Sequence, residues 1–191
     1  MKVCVLSSGS KGNSTLVITD KAKILIDLGT TTSYLEAALN NLNVDVKEIS
    51  HILITHSHVD HIKGLKVFIK RYNPVILVTE DMKNVLEKEL GNFRYEYYED
   101  KKAIIDDLTV NVIKTSHDAE ESIGFVLTNN NSSMVYITDT GYINQKYFKI
   151  LSNNNLYVLE SNYLSVVSFL LILSNLLFYP ILGSYTTQML S

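Results

Sequence analysis

The sequence predicts an α/β sandwich, two mostly mixed sheets laid face to face with helices outside and metal-type ligands along one edge. Three observations carry this expectation. In the first half of the chain, short β-branched apolar runs alternate with stretches of helical periodicity; after Arg94 the pattern turns to strands; and histidines and aspartates of ligand type fall where strands end. At 191 residues and 46% hydrophobic content, the chain suits one domain with a sizeable core.

Taken in order, residues 2–6 read as a strand and 7–13 as a turn-rich loop containing Gly9 and Gly12. The apolar runs 16–18 and 24–26, joined by polar residues 19–23, have the pattern of a hairpin. Asp27 closes the second run ahead of Leu28-Gly29, where a carboxylate caps nearby backbone N–H groups. Leu35, Ala38, Leu39 and Leu42 recur at helical spacing, which makes 33–42 a surface helix. Residues 51–54 form a short buried strand that stops where a polar cluster begins.

That cluster is His56-Ser57-His58-Val59-Asp60-His61, four metal-type ligands within six residues. His56 and His58 are two apart, so on extended backbone they face the same side and can grip one cation together. Asp60 and His61 then turn toward a neighbouring position. Neutral imidazole suits zinc and similar divalent ions, and a carboxylate adds charge where a metal must hold and ionise water.

Beyond the loop, Ile62, Leu65, Phe68 and Ile69 share one face of a predicted helix, and Lys63, Lys66 and Lys70 share the opposite face. Beside a metal site such a basic face would hold phosphates; otherwise it is a solvated helix surface. Asn73-Pro74 ends the helix, 75–78 is a buried strand, and 82–90 is a helix ending at Gly91. Tyr95, Tyr97 and Tyr98 lie in an aromatic, acidic stretch with the character of an edge strand, suited to packing on the sheet or to stacking bases. Residues 108–113, 123–127, 134–137 and 156–159 are further strands. The first of these leads into Thr115-Ser116-His117 and the third into Thr138-Asp139-Thr140-Gly141. Taken alone, His117 reads as a surface or capping residue.

The run His56 to His61 matches the His-X-His-X-Asp-His signature, and the chain resembles the metallo-β-lactamase fold superfamily of metallohydrolases. Together with Thr55-His56 and 60–65, the opening Ser7-Ser8-Gly9-Ser10-Lys11-Gly12-Asn13-Ser14-Thr15 is similar to the YycJ/WalJ-type branch, associated with phosphodiester hydrolysis and exonuclease action on DNA. The resemblance covers residues 1 to about 162 and implies the family's αββα sandwich with its C-terminal part missing. It makes His117 the third ligand of a first ion, beside His56 and His58. Asp139 becomes the bridging ligand to a second ion that Asp60 and His61 also hold, and Asp27 a support behind the metal loop. It implies one or two Zn2+ or Mn2+ ions, a nucleic-acid or other phosphodiester substrate, and Asp60 as the residue that orients hydroxide or takes up a proton.

Three functional readings follow. The first is a phosphodiesterase or nuclease. The second is a thioesterase or small-ester hydrolase of the glyoxalase II kind, which shares the histidine loop. The third is a product with impaired activity, since all five histidines stand at 51, 56, 58, 61 and 117, leaving none for the family's last ligand. A true β-lactamase would use a late cysteine, and a flavo-diiron reductase would carry Glu where His58 stands. The net charge of −3 gives no bulk attraction for nucleic acid. The lone Cys4 excludes an internal disulfide, and the opening apolar run is too short for a signal peptide, so a cytoplasmic location and no stable protein partner are expected.

The 17 basic and 20 acidic residues all lie within the first 160 positions. Residues 163–191 are therefore expected to be a separate apolar, uncharged tail behind a domain spanning 1–162. An accidental translation past a lost reading frame is the favoured origin of the tail, ahead of a membrane anchor or a buried terminal hairpin or helix.

Overall fold

The computed structural model describes residues 1–117, 119 and 121–159, so the expectations for the tail and the boundary at 162 fall outside the described residues. Its first sheet holds β1 (Lys2–Ser7), β2 (Ser14–Ile18), β3 (Lys23–Ile26), β4 (His51–Leu53), β5 (Val75–Val78) and β6 (Tyr95–Tyr97), in that order across the sheet. The first three strands are antiparallel, and β3 to β6 run parallel. The second sheet holds β7 (Lys102–Ile105), β8 (Leu108–Lys114), β9 (Ile123–Thr128), β10 (Ser133–Ile137) and β11 (Leu156–Leu159), antiparallel except for β10 with β11.

Parallel strands covered on both faces should be apolar without alternation, and Val75 to Val78 is buried at every position. In β8, by contrast, Leu108 and Val110 point inward while Thr109 and Asn111 do not, the period of a strand with one covered face. One apolar cluster joins the sheets, with Leu16, Ile24, Ile26 and Ile52 from the first and Val110, Phe125, Leu127 and Met134 from the second. The helices α1 (Thr32–Asn41), α2 (Val59–Ile62), α3 (Leu65–Tyr72) and α4 (Glu80–Leu90) add Leu35, Leu39, Ile62, Phe68 and Leu86 to it. On the far side of the second sheet, Ile113, Val126, Val135 and Ile137 make a smaller cluster, onto which Leu151 of α5 (Phe148–Leu151) packs. Each such side chain, fully buried, contributes about 1.5–3 kcal/mol.

Local signals set the boundaries. The Thr31 hydroxyl accepts from Tyr34 N–H to open α1, and the Thr79 hydroxyl accepts from Met82 N–H to open α4. Asn73 takes the left-handed conformation at φ 50° and Pro74 follows, which stops α3.

The single helix expected from Ile62 onward is two helices. Gly64 N–H donates to Leu28 O at 3.0 Å rather than back along its own helix, so the ladder breaks there. A Cβ on Gly64 would fall 2.2 Å from Thr30 O, so only glycine lets the chain pass this close. Two elements have weak sequence signals: α5 is a single turn, and β7 is an edge strand whose Ile104 is exposed. Tyr95 and Tyr97 stand exposed on edge strand β6, whereas Tyr98 packs under the sheet, its ring 6.2 Å from Phe125. No helix among the described residues is long and apolar enough to cross a membrane.

Candidate metal centre

Strand ends deliver the polar groups to one edge. Asp27 follows β3, the run from Thr55 to His61 follows β4, His117 follows β8 and Asp139 follows β10. Both aspartates adopt left-handed backbone, with φ 60° at Asp27 and 47° at Asp139, a conformation that aspartate tolerates better than most residues. The turn redirects each carboxylate out of its strand.

Asp27 is completely buried and wired to the loop by three bonds. Its Oδ1 accepts from Thr55 N–H at 2.8 Å, and its Oδ2 accepts from Thr55 Oγ1 and from His61 Nδ1, each at 2.9 Å. Thr55 Oγ1 has given its hydrogen to Asp27, so toward His56 Nδ1, at 3.1 Å, it must accept. The proton of His56 is thereby fixed on Nδ1, and its Nε2 keeps a lone pair. That Nε2 is buried and has no hydrogen-bond partner among the described residues.

Electrostatics separate the two buried histidines. Burial, then the neighbouring His61, His58 and His117, pushes the His56 pKa down to about 2, which keeps it neutral. Burial also acts to lower His61, but Asp27, Asp139 and Asp60 outweigh it and raise the pKa to about 9. In the absence of a metal, a proton on His61 satisfies these carboxylates; a divalent cation would replace it.

One atom each from His56, His58 and His117 lie within 4.8 Å of one another, and so do atoms from His56, His61 and Asp139. His56 is common to both groups. His58 Nδ1 stands 3.3 Å from His117 Nε2, and Asp139 Oδ2 is 3.1 Å from His61 Nε2. Asp60 sits at the rim: its side chain is 39% exposed and its Oδ2 is 3.8 Å from His61 Nε2. The donor sets, three imidazoles and two imidazoles with a carboxylate, together with the orphaned buried Nε2 of His56, fit a borderline divalent ion such as zinc.

The backbone is knitted tightly around this cluster. Asn13 N–H donates to Asp60 O at 2.7 Å, Gly29 N–H to Asn13 O at 2.8 Å and Leu28 N–H to His61 O at 2.8 Å. A Cβ on Gly29 would lie 1.6 Å from Asp60 O. Gly29→Ala is therefore expected to destabilise the fold by about 3 kcal/mol or more, the upper end for overpacking, and to weaken metal binding with it. A thermal melt and a zinc titration matching those of the unchanged protein would count against this knitting.

Of the lysines, Lys66 donates to Glu89 O at 3.0 Å at the end of α4, while Lys63 and Lys70 are exposed, Lys63 in the break between α2 and α3. Two other lysines share a cleft with His117. A cleft of about 380 Å³ opens beside His117, and Lys114, Lys146, Tyr142 and Tyr147 line it. These residues, and Asn13, escaped the sequence reading. Lys114 and Lys146 are far apart in the chain, and Asn13 looked like one polar residue in a glycine turn.

Comparison with known proteins gives the family and the fold. The sequence profile of the Metallo-beta-lactamase superfamily matches residues 8–173, running past the boundary expected at 162. The chain is 34% identical over 163 residues to exodeoxyribonuclease YycJ of Bacillus anthracis, covering 83% of this chain and 62% of that protein. It is 30% identical over 168 residues to exodeoxyribonuclease WalJ of Streptococcus pneumoniae, covering 85% and 62%. The chain thus spans less than two thirds of the length of these curated relatives. Among solved structures, the metallo-beta-lactamase fold protein YhfI of Bacillus subtilis superposes with a TM-score of 0.65 at 18% identity, covering 82% of this chain and 68% of that one.

Proposed function

Since the chain belongs to the metallo-β-lactamase superfamily, we propose that it is a metal-dependent phosphodiesterase acting on nucleic acid, an exonuclease of the kind its YycJ and WalJ relatives are named for. The observation that carries this reading is the pair of donor groups sharing His56, one of which includes His117 of the cleft wall. A divalent cation bound there, zinc or manganese, would lower the pKa of water toward neutrality and offset the charge of a phosphodiester.

The residues divide the remaining work. His56, His58 and His117 would hold one ion through neutral imidazoles, and His61 with Asp139 would take part in holding a second. Asp27 keeps His61 Nδ1 occupied, which would leave its Nε2 for an ion. Asp60, at the rim, would orient the attacking water through a carboxylate oxygen and take up its proton. Lys114 and Lys146 offer cations to flanking phosphates, and Tyr142, exposed in the cleft, offers a face for a base. A small thioester would need neither, which favours the nucleic-acid reading over the glyoxalase II kind. The exposed lysines Lys63 and Lys70 remain a secondary phosphate surface in this proposal.

Sharing has a consequence for stoichiometry. His56 Nε2 carries one lone pair and its Nδ1 is committed to Thr55, so it serves one ion at a time. The protein is expected to retain one tightly bound ion after dialysis and to hold a second weakly; two equivalents by metal analysis would overturn this.

The activity itself is tested with bis-(p-nitrophenyl) phosphate and an end-labelled DNA strand, with added zinc or manganese. Hydrolysis of both that stops on chelation is the expected result. Turnover of a thioester without either phosphodiester would overturn the proposal.

A further inference from the structure

Asn13 reaches the donor cluster from the opening glycine turn. It is 3% exposed, and its Nδ2 stands 2.9 Å from His61 Nε2. The direction of its amide is fixed from behind. Asn13 Oδ1 accepts from Gly9 N–H at 2.9 Å, and turning the amide over would set its NH2 against that N–H, donor facing donor. The backbone bonds to Asp60 O and from Gly29 N–H hold its main chain beside the donor loop. Asn13 Oδ1 is therefore not available as a metal ligand, and the amide hydrogens point into the site.

Only a neutral His61 gives those hydrogens an acceptor. His61 Nδ1 gives its hydrogen to Asp27 at 2.9 Å, so Nε2 can receive one from Asn13. The same Nε2, 3.1 Å from Asp139 Oδ2, is the atom His61 would turn to a cation. A ring nitrogen has a single in-plane lone pair. Once a cation takes it, Asn13 is left as a buried donor with no other hydrogen-bond acceptor among the described residues, an arrangement folded proteins avoid. An anionic oxygen arriving beside the cation would satisfy it.

Building on the phosphodiesterase reading above, we propose that Asn13 is a catalytic residue whose Nδ2–H donates to a non-bridging oxygen of the scissile phosphodiester. In the hydrolysis, the water oxygen forms the new P–O bond and the bond to the leaving alkoxide breaks. The water's proton ends on that alkoxide, and Asn13 neither gains nor loses one. Its fixed hydrogen bond strengthens as charge develops on the phosphoryl oxygens, the property that makes preorganised donors effective.

The test compares the zinc-loaded protein with Asn13→Asp and Asn13→Ala. Asn13→Asp keeps the shape and the acceptor for Gly9 N–H but replaces the donor by an oxygen. The expected result is a melting temperature and a zinc content no lower than those of the unchanged protein, with kcat on bis-(p-nitrophenyl) phosphate down by about 10²-fold and KM changed far less. Titration calorimetry with inorganic phosphate should show binding weakened about tenfold in Asn13→Asp, as expected for one lost hydrogen bond to a charged group. Unchanged turnover and phosphate affinity in Asn13→Asp would overturn the proposal, as would activity lost only in step with zinc. Should the unchanged protein cleave no phosphodiester, the functional reading fails by itself. The phosphate titration still decides whether Asn13 contacts the anion.

Discussion

Asp27→Ala is expected to destabilise the protein by about 3–5 kcal/mol, the range for removing one partner of a buried ionic network. The methyl group would leave Thr55 N–H, the Thr55 hydroxyl and His61 Nδ1 without the acceptor they share, in a place water does not reach. Asp27→Asn, which tolerates the φ of 60° and keeps one oxygen, should lose less. The pH dependence has a defined sign. His61 has its pKa raised from 6.5 to about 9 in the folded protein, so it adds stability that is complete below about 6.5 and disappears as pH rises through about 9. His56 is held down near 2, so the unfolded chain gains a proton there as pH falls below 6.5 and acid destabilises the fold. Urea titrations of the metal-free protein at pH 6, 7.5 and 9 should show the alkaline loss, and Asp27→Ala should remove most of it. A variant as stable as its parent at pH 6 would mean that this network does not support the loop.

Substitution at the rim should affect rate and leave stability nearly untouched. Asp60→Ala is expected to lower metal-dependent phosphodiesterase turnover by about 10²–10⁴-fold, the range for losing a positioned general base. His58→Ala should do at least as much by removing an imidazole from the group with His56 and His117. Both side chains are partly exposed, so neither deletion opens a cavity, and melting temperatures of the metal-free variants should match the parent. Unchanged turnover in both would assign the activity to another site or to a contaminant.

What could be read in the sequence was whatever neighbouring residues spell out. His56 to His61 stand together after a short apolar strand, so their chemistry and their place at a strand end were both legible. The uninterrupted runs of β3 and β5 announced a buried sheet for the same reason. His117 and Asp139 needed the family likeness, because each is an ordinary residue at an ordinary strand end. The break at Gly64, the proton pinned on His56 Nδ1, the rim position of Asp60 and the entry of Asn13 all depend on partners dozens of residues away. Leu28 O, for instance, interrupts a helix that the periodicity alone would continue.

The donors also come from two different layers. His56, His58 and His61 leave the first sheet, whereas His117 and Asp139 leave the second. A cation held among them would be a clasp across the seam of the sandwich, and its binding free energy would add to the cohesion of the two layers as the free metal concentration rises. Starved of metal, the seam would loosen at the edge where the donors meet.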